Sequence, residues 1–351
     1  MANDDISILN RYRLPVMGTA ALYVLFLHTG VIMSGGFLSD AVVFIRRMGF
    51  LGVDVFLFLS GIGLVYSYEK EKKNVWIFWK RRIRRILLPM IIAAICYSIT
   101  NHWSVREFIE YVSGYHYYMI ELEKSFLWFY FAIATFYFFF PLYYKLFDIS
   151  PNKNIFTVMM LCVWLAAALM TKGHIRDDLY KMINCIPVFL IGIWLGGRMR
   201  EGKTEIKGYV YLIMAAALVL GYYLEYLILY REHEILLPYS EFGLAAYLSG
   251  ISFVFLWAKG FALLDGIKNN IGKRIGKCII HICSFFGRIS YEFYCMQEWV
   301  FERLIIIFVG NVGVVLLNTI VFISCVGAGL VVYWVNQWFW KGCQYIFSKK
   351  E

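Results

Sequence analysis

Charge is scarce in this chain. Only 17% of its residues are Asp, Glu, Lys or Arg, while 61% are hydrophobic and the mean hydropathy is +0.64, whereas a soluble domain is roughly one quarter charged and at most half apolar. That balance excludes an ordinary soluble globular protein. Metal-type patterning is also missing. The eight cysteines lie mostly in or near apolar runs, with no CxxC and no His-paired spacing, so neither a zinc site nor a disulfide framework is expected. Low-complexity tracts are absent, and so is any polar segment long enough to form a second, soluble domain. A single membrane domain filling residues 1–351 is the expectation.

What the chain has instead is apolar runs of membrane-crossing length. An α-helix needs about 20 apolar residues to cross about 30 Å of hydrocarbon. Ten runs qualify, near 12–34, 49–68, 86–103, 125–147, 154–171, 182–199, 207–229, 240–263, 286–309 and 311–339. The expected fold class is all-α, a polytopic helix bundle with about ten transmembrane helices. The last run is long enough to tilt, kink or project from the bilayer. No small-residue cleavage site follows the first, which reads as a retained span rather than a signal peptide.

The basic residues orient the bundle. With an N-in, C-in arrangement the inner segments hold 25 of the 34 Lys and Arg residues, as the positive-inside rule requires. Arg11, Arg13, the run from Lys70 to Arg85, the group Lys268 to Lys277, and Lys349 and Lys350 all fall on that side. The net charge of +10 is thus explained by orientation and by attraction to anionic lipid heads, with no nucleic acid among the partners.

Ionisable groups inside such runs carry the functional information. His28 is the one histidine of six embedded in a long apolar run. An imidazole there either hydrogen-bonds a neighbouring helix or serves a functional site. Asp54 in the second run, GFLGVDVFLFLSGIGL, is either an interfacial carboxylate at a helix end or a site residue. Gly52, Ser60, Gly61 and Gly63 in the same run let helix backbones approach closely. The cluster Lys80-Arg81-Arg82-Ile83-Arg84-Arg85 places arginines three and four apart, so pairs of them share a helix face. Guanidinium forks grip phosphate. The cluster therefore suits a phosphorylated cofactor at the cytoplasmic mouth of a membrane site, or a stop signal with lipid phosphate bound.

These stretches resemble the acyltransferase-3 family of integral membrane acyltransferases over about residues 11–335. The resemblance is carried by VLFLHTG with His28, by GFLGVDVFLFLSGIGL, by FWKRRIRRILLP with Arg82, Arg85 and Pro89, and by FGRISYEFYCMQEW with Gly287, Ser290 and Tyr294. LWFYFAIATFYFFFPL, with Trp128, Tyr137 and Pro141, and IPVFLIGIWLG, with Pro187 and Gly192, are weaker echoes.

The resemblance implies transfer of an acyl group, most often acetyl, from acyl-coenzyme A to a hydroxyl of a carbohydrate such as a cell-surface glycan, in a multi-pass protein of the cell membrane. It implies His28 as the general base and Arg82 with Arg85 as donor-binding groups, with Arg81 and Arg84 beside them. His28 lies about 14 residues past Leu14, or roughly 21 Å along a helix axis, which places it in the outer half of the bilayer. The acceptor would then arrive from outside while arginines hold the nucleotide inside.

Three positions depart from the family pattern. Met17 stands where an Arg is usual eleven residues before the histidine, with Arg13 one turn away. Cys185 replaces an Arg before the sixth-span proline, and Gln297 follows Tyr294 where a His is common. In the ninth span Glu298 is placed to orient His28 or a sugar hydroxyl, or to make a structural hydrogen bond. Ser60, Trp128 and Tyr137 are expected to shape the site. A catalytically degenerate family member and a polytopic glycan transporter or flippase are the alternatives, although no inverted repeat or broken-helix pair is visible.

Overall fold

The computed structural model describes residues 4–29, 37–120, 127–202, 205–231 and 243–348. Along the chain run α1 (Ser7–Arg11), α2 (Arg13–Thr29), α3 (Phe37–Arg47), α4 (Leu51–Lys70), α5 (Val75–Asn101), α6 (Val105–Val112), α7 (Tyr115–Met119) and α8 (Trp128–Ile149). Then come α9 (Lys153–Thr171), α10 (Asp177–Asn184), α11 (Ile186–Arg200), α12 (Gly208–Arg231), α13 (Leu244–Asp265), α14 (Asn270–Phe308) and α15 (Val314–Ser348). The one strand pairing joins β1 (Asp4–Asp5) antiparallel to β2 (Glu205–Ile206) and leaves an all-α bundle.

The described parts of the ten apolar runs lie mainly on helices. Among the described residues seven helical stretches are long and apolar enough to cross a membrane, and Arg13–His28 is a shorter apolar helix. Residues 30–34 of the first run, 125–126 of the fourth and 240–242 of the eighth lie outside the described residues. Two boundaries differ from the sequence reading. The turn after the first run contains α3, and the basic segment before the ninth run is already helical, forming the start of α14. At 1.5 Å per residue the 39 residues of α14 span about 58 Å, roughly twice the hydrocarbon thickness. Its basic first turns, with Lys273, Arg274 and Lys277, therefore extend past the apolar layer.

Local chemistry sets the helix ends. Asn74 caps α5 by accepting from the Ile77 amide at 3.0 Å, and Asn269 caps α14 by accepting from the Gly272 amide at 2.6 Å. A reciprocal capping box, Ser104 with Glu107, starts α6. α5 ends on His102 with φ 55°, a left-handed C-cap.

Packing is built on small residues. α4 is buried on nearly every face, whereas α9, α12 and α15 expose most of theirs. Gly61 of α4 lies against the Phe189 carbonyl of α11 at 2.5 Å from where a Cβ would stand, and Gly192 of α11 lies against the Phe58 carbonyl in return. Gly18 of α2 meets the Cys283 carbonyl, and Gly287 of α14 meets the Leu14 carbonyl. No side chain fits at these crossings, which is how helices approach when lipid removes the hydrophobic drive between them.

An ionic knot ties the ends of α4, α8 and α11. Lys73 pairs with Asp148, and the Arg200 Nη1 lies 2.9 Å from Glu69 and 3.3 Å from Asp148. Tyr144 donates to Glu69 at 2.9 Å. The bond to Asp148 holds the Lys73 ammonium above its ordinary pKa. Burial works to raise Asp148, but Lys73 and Arg200 outweigh it and hold that carboxyl below its ordinary value.

Candidate active site

The residue pattern of α2 sets the axis of the site. Arg13, Met17, Ala21 and Val24 recur every three or four residues, share one face, and line a cavity of about 200 Å³ inside the bundle. The facing walls come from Val53, Phe56 and Ser60 of α4, Arg82, Arg85 and Ile86 of α5, Phe129, Ile133 and Tyr137 of α8, and Ser290, Tyr291, Phe293, Tyr294 and Gln297 of α14.

Three guanidinium groups, Arg13, Arg82 and Arg85, gather at one end. The Arg13 side chain occupies the notch left by Gly63, where a Cβ would collide with its guanidinium, and the charge of Arg82 reaches it. Its Nε is buried with no hydrogen-bond partner among the described residues. Arg82 donates to the Ser67 hydroxyl at 2.5 Å and lies over the rings of Phe78 and Tyr137, at 5.4 and 5.8 Å. Arg85 pairs with Glu292, which is 0% exposed, and donates to the Arg288 carbonyl at 3.2 Å. Asn336 of α15 bonds the same Glu292 oxygen at 3.5 Å. A second opening, lined by Asn10, Arg11, Arg13, Leu14, Met17, Arg85, Gly287 and Arg288, shares Arg13, Met17 and Arg85 with the cavity. The guanidinium end is thus the end that opens, among basic residues, toward the start of α2.

Toward the other end the polar groups are sparse. Both amide atoms of Gln297 are buried and without a hydrogen-bond partner among the described residues. A buried amide without a protein partner is a group available to whatever fills the cavity.

His28 does not line this cavity. It follows Val24 by one turn on the same face of α2 and lies about 22 Å along the axis from Arg13. Beside it the Arg46 Nε of α3 donates to the Leu27 carbonyl at 3.0 Å, closing the last turn of α2, and the charge of Arg46 reaches the imidazole.

The remaining expected residues separate. Arg81 is turned away, paired with Glu71 at 2.6 Å with its side chain 56% exposed, so it does not join Arg82 and Arg85. Arg84 faces outward, its guanidinium 5.2 Å over the Trp340 ring. At 100° per residue four arginines in a five-residue stretch cannot all face inward; Arg82 and Arg85 do. Asp54 is 1% exposed and packs against Gly250 of α13, outside the lining. Glu298 accepts from Tyr97 of α5 at 3.5 Å, beyond the lining. Trp128 packs edge-on against Phe129, and Cys185 is buried outside the cavity. Ser60, Tyr137, Gln297, Arg13 and Met17 are all in the wall.

The sequence reading passed over two residues. Glu292 stands between Tyr291 and Phe293, and the rule that singled out Glu298, a carboxylate inside an apolar run, applies to it equally. Arg46 lies outside the apolar runs, and only the fold brings it to His28.

Among the described residues no group of His, Cys, Asp and Glu is placed to hold a metal ion. The family model of the acyltransferase domain matches residues 18–336, which includes every cavity-lining residue except Arg13 and Met17. No curated protein and no solved structure matches the chain. With most of its length matched to that domain and its helices arranged as a membrane bundle, the chain belongs to the acyltransferase-3 family of membrane acyltransferases.

Proposed function

We propose that this protein moves an acyl group, acetyl in the first instance, from acyl-coenzyme A to a hydroxyl of a carbohydrate acceptor, with His28 as general base. One observation carries the reading: a single face of α2 carries Arg13, in a cavity with Arg82 and Arg85, and, one turn beyond the last cavity-lining residue Val24, His28. A donor with phosphates at one end and a reactive thioester at the other, joined by a long flexible arm, matches that layout.

In this reading residues 1–351 act as one domain in the cell membrane, N-in and C-in. The phosphates enter by the opening beside Arg11 and Arg288 and engage Arg13, Arg82 and Arg85. Arg13 takes the part of the arginine absent at position 17, helped by the notch at Gly63. Gln297 offers its amide to the arm or to the thioester carbonyl. Neutral His28 accepts the acceptor hydroxyl proton as that oxygen attacks the thioester carbon. The tetrahedral intermediate collapses with rupture of the C–S bond, and the thiolate leaving group takes the proton back from His28. No acyl-enzyme is required. In this reading Arg46, which lies beside the end of α2, supplies the cation that stabilises the developing oxyanion. Asp54 and Glu298 lie outside the cavity lining, and in this reading neither takes part in the chemistry.

Purified protein supplied with acetyl-coenzyme A and candidate glycans is expected to add an acyl mass increment to one of them. Arg13→Ala, Arg82→Ala and Arg85→Ala each raise the donor KM at least tenfold in this reading, because each removes a charge-assisted contact of about 1.5–3 kcal/mol. An unchanged donor KM in all three variants contradicts the donor assignment.

A further inference from the structure

A second, larger space opens on the outside of the same wall. It has a volume of about 850 Å³ and lies among α5, α8 and α15, lined by Trp76, Trp79, Ile83, Leu87, Phe138 and Trp340 with Lys80, Arg82 and Arg84. Trp76 is 77% exposed and Phe138 58% exposed, so the groove opens sideways. Its position along α5, where the chain changes from basic to apolar, is headgroup depth, and tryptophans mark that depth.

The charge of the groove is unbalanced. In the basic cluster, Arg81 is paired with Glu71 and Arg85 with Glu292. Lys80, Arg82 and Arg84 make no ion pair with a carboxylate among the described residues, and all three line the groove, whose lining contains no acid. The Arg84 Nε is buried with no hydrogen-bond partner among the described residues. Three uncompensated cations above an apolar and aromatic trough call for an occupant with an anionic head and a hydrocarbon tail.

We propose that this groove is a binding site for an anionic glycerophospholipid of the cytoplasmic leaflet. Its phosphate is held by Lys80 and Arg84, and an acyl chain lies along Ile83, Leu87 and Phe138. Arg82, Ile86 and Tyr137 belong both to this groove and to the inner cavity, so the bound lipid closes the lateral side of the donor compartment.

The test is native mass spectrometry of the full-length protein released from detergent, titrated with phosphatidylglycerol or phosphatidylcholine carrying identical chains. Wild type is expected to retain phosphatidylglycerol preferentially. Lys80→Gln/Arg84→Gln is expected to weaken that retention about thirtyfold, two cations' worth of headgroup attraction, while Arg81→Gln leaves it unchanged. Equal retention of the two lipids by wild type overturns the proposal without recourse to any variant, and so does undiminished phosphatidylglycerol binding by a monodisperse double variant. The readout involves no acyl transfer and stands apart from the enzymatic reading.

Discussion

Arg85 and Glu292 form the most consequential side-chain pair in the molecule. Glu292 is fully buried and its other oxygen makes no hydrogen bond among the described residues, so its charge rests on Arg85 and the Asn336 amide. Removing one partner of a buried pair strands the other. Arg85→Ala is therefore expected to cost about 3 kcal/mol, the low end for such pairs because Arg85 is partly exposed. Arg85→Ala/Glu292→Leu is expected to cost less than the two single changes added together. Thermal unfolding in one detergent measures all three variants, and strict additivity would contradict the pair. Gln297→Leu replaces an unpartnered buried amide with an apolar group of similar size and is expected to preserve stability. Its predicted effect is on turnover, read as kcat against KM.

At the level of elements, two helix crossings make sharp predictions. A side chain at Gly192 would meet the Phe58 carbonyl, and one at Gly61 the Phe189 carbonyl. Backbone cannot yield as a flexible side chain does. Gly192→Leu is thus expected to destabilise the α4–α11 contact by at least about 1–3 kcal/mol, seen as a lower unfolding temperature, whereas Gly173→Ala, at an open turn with φ 71°, carries only a local backbone cost. The ionic knot at the ends of α4, α8 and α11 predicts a pH dependence. The folded state holds Asp148 below its ordinary pKa, so its stabilisation is present above the unfolded carboxylate pKa and lost as pH falls through the lower folded value. Lys73 is held above its ordinary value; its share is full below the unfolded lysine pKa and is lost as pH rises through the folded one. Asp148→Asn should flatten the acid limb of a stability–pH curve, and an unaltered limb would contradict the knot.

The helices themselves were legible in sequence because a membrane crossing announces itself by length and apolarity, and the small residues Gly52 and Gly61 mark close approach of helices, whereas Gly63 makes room for the Arg13 guanidinium. Side-chain direction was not legible. Four arginines in a row of five looked like one phosphate grip, yet the turn of the helix sends Arg81 to Glu71 and Arg84 to Trp340 and keeps Arg82 and Arg85 inside. Glu298, chosen for its charge, packs on Tyr97, while Glu292 six residues earlier supports the cluster. Arg46 reaches the end of α2 through tertiary packing that no local pattern encodes.

For the whole molecule, basic groups gather at the start of α2 and His28 lies near the end of the same helix, about 22 Å away. If the N-terminus is cytoplasmic, single cysteines at Leu27 and at Arg11 are expected to react with membrane-impermeant reagents from opposite sides of sealed vesicles. Labelling of both from the cytoplasmic side would remove the transmembrane layout. The most direct test of the account is the acyl mass increment itself, measured on purified protein with acetyl-coenzyme A and candidate glycans, wild type against His28→Ala. Loss of a general base predicts that the rate of acylation falls about 100-fold to 10,000-fold with folding and donor binding retained; an intact increment at the wild-type rate would contradict His28 as the base.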